Sequence, residues 1–69
     1  MKFSARNVFR GKIVSLKKGP VNSEVIIKTS EGLEIVSTIT TESAERMGLA
    51  NGSDATALIK ATQVMLVSE

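Results

Sequence analysis

Apolar and polar residues alternate with a period of two along most of this chain, which predicts strands rather than helices. Over residues 8–16, Val8, Arg10, Lys12 and Val14 fall on one face, and Phe9, Gly11, Ile13 and Ser15 on the other. Gly11 inside that pattern predicts a bulge or sharp bend, as a strand serving two halves of a small barrel needs. Lys17-Lys18-Gly19-Pro20 ends the strand, since glycine permits positive φ and proline cannot continue a ladder. A second strand over 23–29 carries Val25-Ile26-Ile27 at its centre. The turn Ser30-Glu31-Gly32 then returns the chain into a third strand over 33–40.

Residues 41–48 leave that period. Thr41 is placed to cap a helix, with Glu42 and Glu45 near its start and Arg46 near its end. Gly48 closes it in the left-handed conformation. Ala44 and Met47 share one face, which would plug the end of a sheet, and packing must stabilise so short a helix. Asn51-Gly52 marks a turn, and strands follow over 55–59 and 63–67, joined by Lys60-Ala61-Thr62. A single domain over 1–69 with the order β-β-β-α-β-β is predicted: all-β with one short helix. That is the element order of the OB-fold, a five-stranded Greek-key barrel. A short β-roll or an SH3-like barrel would accept most of the same segments.

Composition narrows the chemistry. Cysteine and histidine are absent, which excludes disulfides, thiolate or imidazole metal sites, and Cys or His catalysis. The carboxylates have no spacing that demands acid–base work, and no P-loop, GxGxxG or GxSxG pattern occurs. Ser4 and Lys60 are the residue types of a Ser–Lys dyad, but nothing marks either as activated. No enzyme activity, catalytic residue, catalytic cofactor or bare-cation site is therefore expected. A chain of 69 residues with 42% hydrophobic content is too small to hide its apolar side chains alone, so a homo-oligomer is expected. No apolar run reaches the roughly 20 residues of a membrane span, and no signal peptide is visible. A soluble cytoplasmic protein with no membrane partner is the expectation.

The net charge of +2 hides a basic N-terminal segment. Lys2, Arg6, Arg10, Lys12, Lys17 and Lys18 all precede the first acidic residue, Glu24. Single-stranded nucleic acid is one reading of a basic OB-fold, but it needs rings on which bases stack. Only Phe3 and Phe9 are available. A small anion is the other reading, because three groups of donors occur. Ser4 and Arg6 offer a hydroxyl and a guanidinium fork. Thr38, Thr40, Thr41 and Ser43 surround a helix start, where unpaired N–H groups also attract anions. Lys60 precedes Ala61 and Thr62 between two strands. Each group has an ordinary explanation: a solvated basic strand, helix N-capping, and a strand-end lysine.

Four stretches together resemble the molbindins, the small molybdate- and tungstate-binding Mop family with an OB-type (Mop/TOBE) domain. They are Ser4-Ala5-Arg6-Asn7, the run from Lys18-Gly19-Pro20 to Val25, Thr38-Ile39-Thr40-Thr41-Glu42-Ser43 with Gly48-Leu49, and Leu58-Ile59-Lys60-Ala61-Thr62 with Val64-Met65. The resemblance runs in register over essentially the whole chain. It implies an OB barrel assembled as a hexamer, a trimer of dimers. It also implies one side of an oxyanion pocket from Ser4, the Ala5 backbone, Arg6, Lys60 and the Ala61 backbone. Thr40 and Ser43 of a neighbouring copy would supply the other side. A second oxyanion position near a threefold axis is implied for the turn containing Val21 and Asn22. The implied function is intracellular storage or buffering of molybdate or tungstate, with no nucleic-acid partner.

Overall fold

In a computed structural model the chain forms a curled, four-stranded antiparallel sheet in the order β3-β2-β1-β4, with one short helix. The structure describes residues 4–68, so Lys2 and Phe3 lie outside it. Strand β1 (Asn7–Lys18) is the spine. It pairs with β2 (Asn22–Thr29) from Gly11 to Lys18 and with β4 (Asp54–Ile59) from Asn7 to Lys12. It therefore serves both halves of the sheet, and at Gly11 and Lys12 it bonds on both edges.

The expected irregularity lies later than Gly11. The β1–β2 register shifts between Ile13 and Ser15, so Val14 is the bulged residue. Gly11 has a different role. A Cβ there would come within 2.5 Å of the Lys28 carbonyl oxygen, so only glycine lets the two backbones pass. Ile13 itself bonds to the loop before β4, donating to Ser53 O at 2.9 Å and accepting from Gly52 N at 2.8 Å.

Strand β3 (Glu34–Thr40) runs directly into α1 (Thr41–Arg46). The cap is Thr40 rather than Thr41: its Oγ1 accepts from the Ser43 amide at 3.1 Å. At the other end Gly48 has φ +68 and donates to Glu45 O, while Leu49 donates to Ala44 O. That pair of bonds is a Schellman closure. Ala44 is buried as expected, but Met47 is 65% exposed and does not plug the sheet. Met47 is the C-cap, still αR at φ −79 and ψ −11, and sits on the last turn beyond the packed part of the helix.

The inner face carries the small core. Ile13, Val25 and Ile27 are buried, with Leu16, Ile39, Leu49, Ala55 and Ala57 packed against them. The fifth strand expected over 63–67 is absent among the described residues. A 3₁₀ turn, η1 (Ala61–Gln63), carries the chain off the sheet, and residues 64–68 are exposed and unpaired. Residues 64–67 are a short apolar run of the kind a strand can have, but they pair with no described strand of this chain. The barrel is thus left open on one side.

Candidate functional site

Pairing of β1 with β4 assembles the first donor group. Asn7 and Ile59 are register partners, and Asn7 Nδ2 donates to Ile59 O at 3.1 Å. Residues 4–6 and 60–61 therefore leave the sheet side by side, although more than fifty positions separate them in sequence. Ser4, Arg6, Lys60 and Ala61 are exposed and Ala5 is half-buried. Among the described residues the ion pairs are Lys12–Asp54 and Lys18–Glu45, so neither Arg6 nor Lys60 is engaged by a described carboxylate. A guanidinium fork, an ammonium and a hydroxyl thus face solvent together. That donor set suits an anion.

Thr40 and Ser43 lie elsewhere. The Lys18 end of β1 pairs with Ser23, and the neighbouring Asn22 pairs with Thr40. Both residues sit at the opposite end of β1 from Asn7. Twelve extended residues span roughly 36 Å, and the molecule is only 37 Å in its longest dimension. One chain cannot bring Arg6 and Ser43 to the same small anion.

This second end is a tied-off corner. Thr41 Oγ1 donates to Gly19 O at 2.7 Å and lies 2.7 Å from Ser23 Oγ, which is buried. Thr41 N donates to Val21 O at 2.8 Å, and Gly19 N to Asn22 O at 3.0 Å. The turn with Val21 and Asn22 is therefore clamped to the helix start, beside Thr40 and Ser43. Thr40 Oγ1 donates to Ser43 Oγ at 2.8 Å, with Arg46 Nη2 at 3.4 Å from the same oxygen. Ser43 Oγ keeps its own proton for an external acceptor. A helix of six residues has too little dipole to hold an anion unaided, so the corner depends on such side-chain donors.

Two further features bear on function. Phe9 lies on the inner face and is half-buried, which disfavours its use as a platform for base stacking. Between the edges of β3 and β4 opens an apolar groove of about 830 Å³, floored by Ile13 and Ile27 and walled by Ile35, Ile39, Ala57 and Ile59. Arg10, Ser37, Asp54 and Thr56 also line it, but none of Ser4, Arg6, Thr40, Ser43 and Lys60 does. The expectation of a five-stranded barrel did not foresee such a groove. No helix among the described residues is long and apolar enough to cross a membrane.

Comparison with known proteins gives a consistent result. The TOBE domain family matches residues 4–66. Molybdenum-pterin-binding protein 1 of Clostridium pasteurianum is 43% identical over 68 residues, covering 99% of this chain and 100% of the relative. Among solved structures, MopII from the same organism superposes with a TM-score of 0.91 at 42% identity, over 97% of this chain and 100% of that one. A molybdate-binding protein from Sporomusa ovata gives 0.92 at 32% identity, over 99% and 100%. The fold is thus that of a known group, and the chain belongs to the TOBE domain family as one of its small molybdenum-pterin-binding (Mop) proteins.

Proposed function

We propose that this protein binds molybdate or tungstate between copies of itself, and serves as a cytoplasmic store or buffer for the oxyanion. The observation that carries this reading is the division of donors between the two ends of β1. Ser4, Arg6 and Lys60, with the Ala5 and Ala61 backbones, form one half-site; Thr40 and Ser43 form the other. Two chains packed end against end would close a pocket that neither closes alone. A second, lesser position is assigned to the Val21–Asn22 turn, where copies would meet about a threefold axis. The assembly proposed is a hexamer, a trimer of dimers.

The ligand chemistry agrees with the residue types. Molybdenum in molybdate is already surrounded by oxide, so it needs hydrogen-bond donors rather than His or Cys. Each charge-assisted bond contributes about 1.5–3 kcal/mol net, and several converging ones hold a dianion against water. The protein acts as a carrier: the oxyanion is cargo, and no reaction is assigned to it. Relatives named for binding molybdenum or molybdate support this over the nucleic-acid reading.

Native mass spectrometry with and without molybdate tests mass and occupancy together, with equilibrium dialysis against tungstate, sulfate and a single-stranded oligonucleotide. The expected result is a homo-oligomer that takes up molybdate and tungstate far more tightly than sulfate, and leaves the oligonucleotide free at physiological salt. A stable monomer, or oligonucleotide binding without molybdate uptake, would overturn it.

A further inference from the structure

We propose that Arg46 is a further oxyanion-binding residue, the charged member of the half-site that holds Thr40 and Ser43. This rests on the oxyanion reading put forward above and deepens it, because Thr40 and Ser43 carry no charge of their own.

The hydrogen bonds at this corner leave the half-site short of donors. Thr40 Oγ1 accepts from the Ser43 amide at 3.1 Å and donates to Ser43 Oγ at 2.8 Å, so its one proton is used within the chain. The Thr41 hydroxyl donates to Gly19 O. Of these three hydroxyls only Ser43 keeps a proton for a ligand. One neutral donor is little for a dianion leaving water. Arg46 makes up the difference. Its Nη2 lies 3.4 Å from Ser43 Oγ. Donors from Thr40 and Arg46 occupy the lone pairs of that oxygen and turn its proton outward. An anion oxygen taking this proton at about 2.7 Å comes to lie beside the guanidinium, whose fork has N–H groups to spare.

Place on the helix does not by itself explain where Arg46 points. A basic residue in the last turn complements the helix dipole, and Glu42, four residues earlier, is the favoured partner for an ion pair. That pair does not form. Among the described residues the ion pairs are Lys12–Asp54 and Lys18–Glu45, so the adjacent Glu45 is drawn toward β1. The exposed guanidinium is turned to a hydroxyl instead of a carboxylate. With Arg6 and Lys60 of the facing copy, three positive charges would then surround one dianion.

The test is calorimetric titration of molybdate into wild type, Arg46→Gln, Ser43→Ala and the double variant, each at several sodium chloride concentrations. Arg46→Gln should weaken binding by about tenfold, with the thermal midpoint nearly unchanged. It should also make affinity fall less steeply with added salt, because one screened charge is gone. A residue that only shapes the corner would leave that steepness alone. In the Ser43→Ala background the Arg46→Gln loss should persist, as direct contact with the anion requires. Unchanged affinity, unchanged salt dependence, or a loss that vanishes once Ser43 is alanine each overturns the assignment. Should Arg6→Ala weaken binding while Arg46→Gln does not, Arg46 falls and the intersubunit oxyanion reading stands. A wild-type protein that takes up no molybdate overturns both.

Discussion

The two ends of β1 are built on opposite principles. At the Lys18 end, Thr41, Ser23, Gly19 and the Thr40 cap satisfy one another through short bonds, and Ser23 is buried. At the Asn7 end a single side-chain clamp, Asn7 to Ile59, holds two chain segments whose charged groups are left facing outward. Polar groups that bond internally fix shape; polar groups held together without internal partners are available to a ligand. Thr41, Ser23 and Gly19 should therefore report in stability and Ser4, Arg6 and Lys60 in binding, while Thr40 and Ser43, at the rim of the first end, join the binding group through the proposed pocket.

The sharpest way to break that contrast is Arg6→Ala. Loss of a bidentate charged donor should weaken oxyanion binding by about tenfold to a hundredfold, with the thermal midpoint nearly unchanged. Arg6→Lys should recover only part, since an ammonium lacks the planar fork. A large drop in melting temperature for Arg6→Ala would place the residue in the scaffold instead. Mixing sharpens the point. Arg6→Ala chains refolded with Ser43→Ala chains should regain a class of tight sites, seen in molybdate titration, where two intact halves meet. Absence of that class, with mixing verified by mass, would mean the two residues share no pocket.

Next in size is Thr41→Val, which strips Ser23 and the Gly19 carbonyl of their partner. Leaving buried polar groups unbonded should cost about 1–3 kcal/mol in urea unfolding. A variant as stable as wild type would show that the corner is not what holds the helix to the sheet. Thr40→Ala should cost about 1 kcal/mol through loss of the cap, read in the same experiment. By the proposed pocket it should also weaken oxyanion binding modestly, making Thr40 the one residue that reports in both measurements.

The smallest effect belongs to neither end. Lys12 Nζ donates to Asp54 at 2.6 Å, and that bond, with the lysine charge, lowers the Asp54 pKa. A lowered folded pKa contributes stability above the ordinary carboxylate range, lost as pH falls through the lowered value. The pair is exposed, so the contribution is slight. Asp54→Asn should flatten the acid side of the melting-temperature profile a little and leave neutral pH almost unaltered. A marked loss at neutral pH would contradict this.

Much of this was legible in the pattern of residues. Period-two alternation located β1 to β4 and separated the two faces of β1, because burial on one side forces it. Gly48 announced its own φ, since few other residues tolerate that position. Three things were hidden. The bulge fell at Val14 rather than Gly11, because a glycine records close approach as readily as an extra residue. Ser4, Arg6 and Lys60 could be named but not brought together, since only the β1–β4 register does that. Residues 63–67 looked like a strand, yet a short apolar run is silent on which ladder it joins.

The spine strand has a kinetic consequence as well. Its bonds to β2 join residues a few to eighteen positions apart, from Lys18–Ser23 to Gly11–Thr29, whereas its bonds to β4 join residues 42 to 52 apart. Closing the longer loop loses more entropy, so the β1–β2–β3 meander should form first and β4 should dock onto it afterwards. Pulsed hydrogen exchange during refolding should protect the amides of β2 before those of β4; simultaneous protection would refute that order. Arg6 emerges early in the chain, but its partner Lys60 arrives with β4. On this route the charge cluster is assembled only when β4 docks, so by the proposed half-site a newly made chain gains its anion-binding surface last.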